Sequence, residues 1–251
     1  MALPQNPVTI IPARLKSTRL ARKVLADLGG EAMIVHVWRR AMEAELGPVY
    51  VACDDSEIAD AVTAAGGDAI MTRADHPSGS DRIYEALGLI EGGAEFDAVI
   101  NIQGDLPTLD PALPTAAFAL LDVADVDIAT LATEITDPLE RHDANVVKVV
   151  AAREPDAGRG TALYFSRATV PAGDGPLYHH IGLYAYRRQA LETFINLPPS
   201  GLETRERLEQ LRALEAGMRI DVAFVDTEPL GVDTPDDLAT ARQILGRWRG
   251  N

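Results

Sequence analysis

Val8-Thr9-Ile10-Ile11-Pro12-Ala13-Arg14-Leu15-Lys16-Ser17-Thr18-Arg19-Leu20-Ala21-Arg22-Lys23 is the stretch that decides how the chain is read. Its first four residues are apolar or β-branched and predict a buried strand that ends at Pro12. Five cations (Arg14, Lys16, Arg19, Arg22 and Lys23) follow within ten residues, and no acid precedes Asp27. The whole chain carries 38 acidic against 23 basic residues, so this is a local reversal of sign just past a strand end. Open α/β sheets bind ligands at that edge, and the pattern reads as a cradle for a polyanion such as a phosphate chain. A solvated basic connector is the plain alternative.

The rest of the first half extends the pattern. Apolar residues at helical spacing predict a helix over Met33 to Ala44, a strand over Val49 to Ala52, a helix capped by Ser56 and ending at Gly66-Gly67, and a short strand over Asp68 to Met71. That β-α-β-α-β rhythm predicts a parallel sheet with right-handed crossovers. Thr72 to Arg82 is polar, holds Pro77 and Gly79, and leads into a helix over Ile83 to Ile90. It reads either as a second piece of binding site with Ser80 at a helix N-terminus, or as a capping loop using Ser80 or Asp81. Asp97 to Ile102 predicts another buried strand, running into Gln103-Gly104-Asp105-Leu106-Pro107. A carboxylate after Gly at a strand end can aim an oxygen at Mg²⁺, and it can equally be a turn residue.

From Asp127 the character changes. Asp127 to Ile135, Asn145 to Ala152 and Ala162 to Val170 run in strand fashion with short spacers, and Gly158 to Thr161 reads as a hairpin turn. His179 to Arg188 is another strand, whose adjacent His179 and His180 face opposite sides. Glu203 to Ala216 predicts one charged helix with Leu208, Leu211 and Leu214 as its stripe. Ile220 to Val225 is a last strand, and Thr234 is the expected N-cap of a final helix with Pro235 at its first position.

Bulk properties bound the function. With 251 residues and 47% hydrophobic content the chain can bury a full core. A net charge of −15 disfavours nucleic acid and anionic membranes as partners. The single Cys53 rules out an intramolecular disulfide and suits a reducing compartment. Without a long apolar run or a charged leader, a cytoplasmic protein is expected. The turn after the first strand lacks G-x-G-x-x-G, which disfavours a dinucleotide oxidoreductase.

Ordered along the chain, Ile10 to Arg14, Ser17, Arg19-Leu20, Lys23, Gln103-Gly104-Asp105, Pro107, Tyr164 to Ala168, His180, Gly182, Tyr184, Tyr186-Arg187, Leu208 to Arg212 and Gly231 to Pro235 resemble the 3-deoxy-D-manno-octulosonate (KDO) cytidylyltransferases. The likeness runs from about Val8 to Leu245, with Ala21 where the family usually has Pro and Leu106 where it usually has an acid. The resemblance implies a single doubly wound, mostly parallel α/β nucleotidyltransferase domain of Rossmann-like form over 1–251. An antiparallel insertion at about 127–190 would serve a homodimer. It implies transfer from CTP to KDO, giving CMP-KDO and pyrophosphate on the way to lipopolysaccharide. Arg14, Lys23, Asp105 and Asp233 would be catalytic, with Asp105 and Asp233 holding Mg²⁺. Pro12, Ala13, Arg14, Ser17, Arg19, Lys23 and Gln103 would hold CTP, and Arg82, Gln103, Arg167, His180, Tyr184, Glu209 and Gln210 the sugar acid. The alternatives are a cytidylyltransferase for another ulosonic acid, sialic-acid-like or amino-substituted, and a non-catalytic nucleotide-binding module.

Overall fold

The computed structural model describes residues 2–17, 20–153, 158–227 and 229–249. The chain forms two compact units, Asn6–Thr115 with Pro229–Asn251, and Ala116–Glu228 with Met1–Gln5.

In the first unit four strands, β1 (Pro7–Ala13), β2 (Val49–Cys53), β3 (Asp68–Met71) and β4 (Ala98–Asn101), form a parallel sheet in the order β3-β2-β1-β4. Val8, Thr9, Ile10 and Ile11 are all within 1% of complete burial, which explains why β1 reads as an unbroken apolar run instead of an alternating one. Helices α1 (Met33–Glu43), α2 (Ser56–Ala64), α3 (Gly79–Leu89) and α8 (Pro235–Arg249) belong to this unit, and α4 (Ala112–Ala119) contains the boundary between the units. Two helix starts differ from the sequence expectation. Asp55, one residue before Ser56, accepts the capping bond from Glu57 N–H. Ser78, not Ser80 or Asp81, caps α3 by accepting from Asp81 N–H, so the helix starts four residues earlier than its apolar stripe suggested. Thr234 does cap α8, accepting from Asp237 N–H at 3.2 Å.

Close packing fixes the turns. A Cβ on Gly67 would lie 2.8 Å from the ring of Trp38. The second tryptophan, Trp248, is 46% exposed with the Arg40 guanidinium 4.8 Å above its ring. Leu28, Met33, Val232, Leu238, Ala241 and Leu245 form one apolar cluster that seats α8 against the residues following the basic loop. Leu106 is buried, so the side chain standing where the family usually has an acid joins the apolar interior.

The second unit holds β5 (Ile128–Glu134), β6 (Lys148–Arg153), β7 (Arg159–Ser166), β8 (Tyr178–Arg187) and β9 (Ile220–Phe224), in the order β8-β5-β9-β7-β6. A further pairing sets Lys148 opposite His179. β9 runs parallel to β5, and the other pairings are antiparallel. Arg159, Gly160 and Thr161 belong to β7, so three of the four residues expected as a hairpin turn at Gly158 to Thr161 are strand; residues 154–157 lie outside the described residues. The β5–β8 ladder shifts register between Thr130 and Leu131, where Thr130 faces Tyr184 but Leu131 faces Ile181.

Helix α5 (Arg188–Asn196) follows β8. The charged segment expected as one helix is two, α6 (Gly201–Glu206) and α7 (Gln210–Glu215), separated by Arg207 at φ 56°. A left-handed residue cannot continue a right-handed helix, and Arg gives no warning of one as Gly would. A capping box between Ser200 and Glu203 starts α6.

Candidate active site

β1 delivers the basic loop to the carboxyl edge of the first unit's sheet, and two acids, one just before α2 and one in its first turn, tether it. The Leu15 N–H donates to Asp54 Oδ1 at 2.9 Å, and Arg22 donates to both carboxylate oxygens of Glu57 at 3.0 and 2.5 Å. Arg22 sits at φ 54°, so the chain turns sharply there before Lys23. Arg14 and Lys16 are exposed, and Arg19 lies outside the described residues.

Lys23 is the hub. Its ammonium donates to Asp105 Oδ2 at 2.7 Å and to Asp233 Oδ1 at 2.8 Å. Burial alone would lower its pKa, but the two carboxylates more than offset that and hold it above the ordinary lysine value. Asp105 arrives through Gly104, where a Cβ would come within 2.8 Å of the Pro12 carbonyl oxygen, so only glycine lets β4's end approach β1's end this closely. The Asp105 carbonyl accepts from Val232 N–H at 3.0 Å, and Asp237 accepts from the N–H groups of Asp233 and Thr234, which sets Asp233 opposite Lys23. A cavity of about 240 Å³ opens here, lined by Pro12, Arg14, Lys16, Ser17, Lys23, Val24, Gln103, Gly104, Asp105 and Asp233.

A second cavity, about 160 Å³, shares Pro12, Arg14 and Gln103 with the first and adds Ala13, His76, Ser78, Gly79 and Arg82. The polar loop after β3 therefore does line the site. Its Arg82 is only 3% exposed and is engaged internally, donating to Thr72 Oγ1 at 2.6 Å and to Asp54 Oδ2 at 3.2 Å. Asp54 thus holds both the basic loop and Arg82. Glu85 clamps the same loop, bonding His76 and accepting from Arg73 N–H.

The remaining expected sugar-acid residues lie in the second unit. His180 is 7% exposed, and its ring centroid lies 5.5 Å from that of Tyr184 and 4.8 Å from that of Phe165, the latter in a T-shaped arrangement. Burial, with His179 adding to it, pushes the His180 pKa down to about 3. Burial first, then Tyr186 and Glu209, raise the Tyr184 hydroxyl well above its usual value. Glu209 also pairs with Arg212 at 3.1 Å, and Gln210, 6% exposed, opens α7. Arg167 spends its guanidinium on backbone, donating to the carbonyls of Glu206 and Ala144.

Asp54, Glu57, Thr72 and His76 were not singled out from sequence. One signal was present for the first: Asp54-Asp55-Ser56 follows β2 with one helix to cap, which leaves an acid over.

A parallel α/β sheet that brings a cationic loop and two convergent carboxylates to its carboxyl edge defines a protein that handles a nucleotide polyphosphate. Residues 8–220 match the cytidylyltransferase family model. A 3-deoxy-manno-octulosonate cytidylyltransferase of Paramagnetospirillum magneticum is 61% identical over 96% of this chain and 98% of its own length, and one of Methylobacterium radiotolerans is 62% identical over 98% and 99%. A solved CMP:2-keto-3-deoxy-manno-octonic acid synthetase complexed with CTP superposes with a TM-score of 0.88 at 38% identity, covering 97% of this chain and all of that one. The chain belongs to the cytidylyltransferase family, among the 3-deoxy-manno-octulosonate cytidylyltransferases.

Proposed function

We propose that the protein transfers the cytidylyl group of CTP to the anomeric hydroxyl of 3-deoxy-D-manno-octulosonate, releasing pyrophosphate and forming CMP-KDO. The observation that carries this reading is the Lys23 ammonium lying 2.7 and 2.8 Å from Asp105 and Asp233 in a cavity that Arg14, Lys16 and Ser17 also line. An incoming hydroxyl must approach a phosphorus shielded by negative oxygens, so dispersing that charge is the main catalytic task. Arg14, Lys16 and Lys23 supply positive charge along the phosphate chain, and the Ser17 hydroxyl a neutral hydrogen bond. Arg19 belongs to the same loop.

Asp105 and Asp233 suit Mg²⁺: they are hard oxygen donors converging on one cationic position, and Mg²⁺ commonly takes one or two carboxylates together with substrate phosphates. No group of three or more potential ligands occurs among the described residues, so nucleotide and water would complete the shell. When bound, Mg²⁺ neutralises charge on the nucleotide and acidifies the attacking hydroxyl. On the acceptor side, Arg82, Gln103, Arg167, His180, Tyr184, Glu209 and Gln210 are assigned to the carboxylate and hydroxyls of the sugar acid. Arg82 and Arg167 act there by ordering the loops that bear them, given their internal bonds.

The same reading includes a doubly wound arrangement of the first unit, a homodimer built on the 127–190 region and a cytoplasmic step toward lipopolysaccharide. The homodimer is supported by the exposure of Leu139 and Leu163 in that region. Among the described residues no helix is long and apolar enough to cross a membrane.

Pyrophosphate release with Mg²⁺, CTP and a panel of ulosonic acids tests the proposal, with Asp105→Ala alongside. Release that requires CTP and KDO together, and falls by about a thousandfold in the variant, is expected. Release only with another ulosonic acid would refute the acceptor assigned here.

A further inference from the structure

We propose that Thr130 is a positioning residue that fixes His180 as its Nε2–H tautomer, so that Nδ1 is presented as a hydrogen-bond acceptor for a hydroxyl of the sugar acid. The substrate half of this statement rests on the acceptor reading above; the tautomer half does not.

The Thr130 hydroxyl has three polar neighbours and one proton to share among them. Thr130 Oγ1 lies 2.8 Å from the Leu183 carbonyl oxygen, 3.2 Å from the Ile181 carbonyl oxygen and 3.0 Å from His180 Nε2. Both carbonyls can only accept, and a threonine hydroxyl has one proton to give. If that proton went to the imidazole, two carbonyl oxygens would face a hydroxyl oxygen lone pair to lone pair in a fully buried place, since Thr130 has no exposed surface. With the proton directed at the shorter carbonyl contact, His180 Nε2 must carry the hydrogen and donate it. A neutral ring then has its lone pair on Nδ1.

The local backbone is built for this arrangement. The ladder irregularity between Thr130 and Leu131 inserts Gly182 and Leu183 into β8 without partners on β5, which turns the Ile181 and Leu183 carbonyls toward the Thr130 side chain. Phe165 and Tyr184 both pack against the ring, with interplanar angles of 70° and 54°, and restrict its rotation. Among the described residues Nδ1 makes no hydrogen bond, and His180 as a whole keeps 7% of its surface exposed. Its pKa of about 3 means that the ring stays neutral across the working range, where a lone pair for a hydroxyl donor is of use and a positive charge is not on offer.

The test is nitrogen-detected NMR of the full-length protein labelled with ¹⁵N-histidine, without substrate at neutral pH, with His180→Gln supplying the assignment. A protonated Nε2 and an unprotonated Nδ1 are expected in the native protein and in Thr130→Ser, and a mixture of tautomers in Thr130→Val. A protonated Nδ1 in the native protein would overturn the proposal, whatever the substrate proves to be. Steady-state kinetics then reads the substrate half: Thr130→Val should raise KM for the sugar acid roughly tenfold while KM for CTP stays within about twofold, and Thr130→Ser should restore the native value. A loss shared equally by both substrates would refute the acceptor role of Nδ1. The native spectrum and Thr130→Ser alone decide the tautomer if the valine variant does not fold.

Discussion

Lys23 and His180 are both withdrawn from water, yet their protonation is driven in opposite directions. For Lys23, two carboxylates within 2.8 Å overcome the burial that would strip its charge. For His180, no counter-charge compensates, its hydrogen-bond partner is a neutral hydroxyl, and burial removes its charge. Burial pushes both groups toward the neutral form, and only a facing counter-charge of sufficient strength reverses it. The first unit accordingly presents formal charges on loops at strand ends, suited to phosphates. Around His180 the second unit presents neutral side chains on sheet strands, Thr130, Phe165 and Tyr184, whose fixed directions suit hydrogen-bond geometry more than charge.

Three experiments would break or sharpen this contrast. The largest effect is expected from Asp54→Ala, which leaves the Arg82 guanidinium buried without its charged partner and frees the Leu15 N–H; a loss of about 3 kcal/mol in urea unfolding is expected, with a raised KM for CTP. An unchanged midpoint would show that Arg82 is not held by charge.

His180→Gln should change the pH dependence of stability by a smaller amount, one that grows in acid. The native fold holds the neutral imidazole, so its folded pKa of about 3 lies below the ordinary value of 6.5. That contribution is fully present above pH 6.5 and is lost as pH falls toward 3, at up to about 1.4 kcal/mol per unit, because the unfolded chain binds the extra proton first. Unfolding free energies measured from pH 7 to pH 5 should fall more steeply for the native protein than for the variant, and parallel curves would contradict the buried neutral ring. The smallest effect belongs to Arg22→Ala. Its pair with Glu57 is about half exposed on both sides, so the melting temperature should barely move, and any change should appear in CTP binding through the loop.

What the sequence disclosed and what it concealed follow the same division. β1, the cationic loop and the cap of α8 were legible because each depends on local pattern: an apolar run, a cluster of like charge, Thr-Pro before acids. The convergence of Lys23, Asp105 and Asp233 came through family resemblance, since nothing local connects residues so far apart in the chain. Asp54, Thr130 and the break at Arg207 escaped. Asp54 works through a backbone N–H and an arginine in other segments, Thr130 through an irregular ladder, and Arg207 adopts a left-handed conformation on a residue that rarely signals one. Leu106 shows the reverse case: the departure from the family pattern is visible in sequence, while its meaning, a side chain joining the apolar interior, needed the fold.

The placement of the tryptophans gives the molecule its own optical labels. The chain has two, Trp38 packed against Gly67 and Trp248 partly in solvent beneath Arg40, and both belong to the first unit. Selectively excited indole emission therefore follows the melting of the first unit alone, while far-ultraviolet dichroism sums over both. Superimposed denaturation curves from the two signals would mean that the units unfold as one cooperative body, and curves that part would mean that each keeps its own stability.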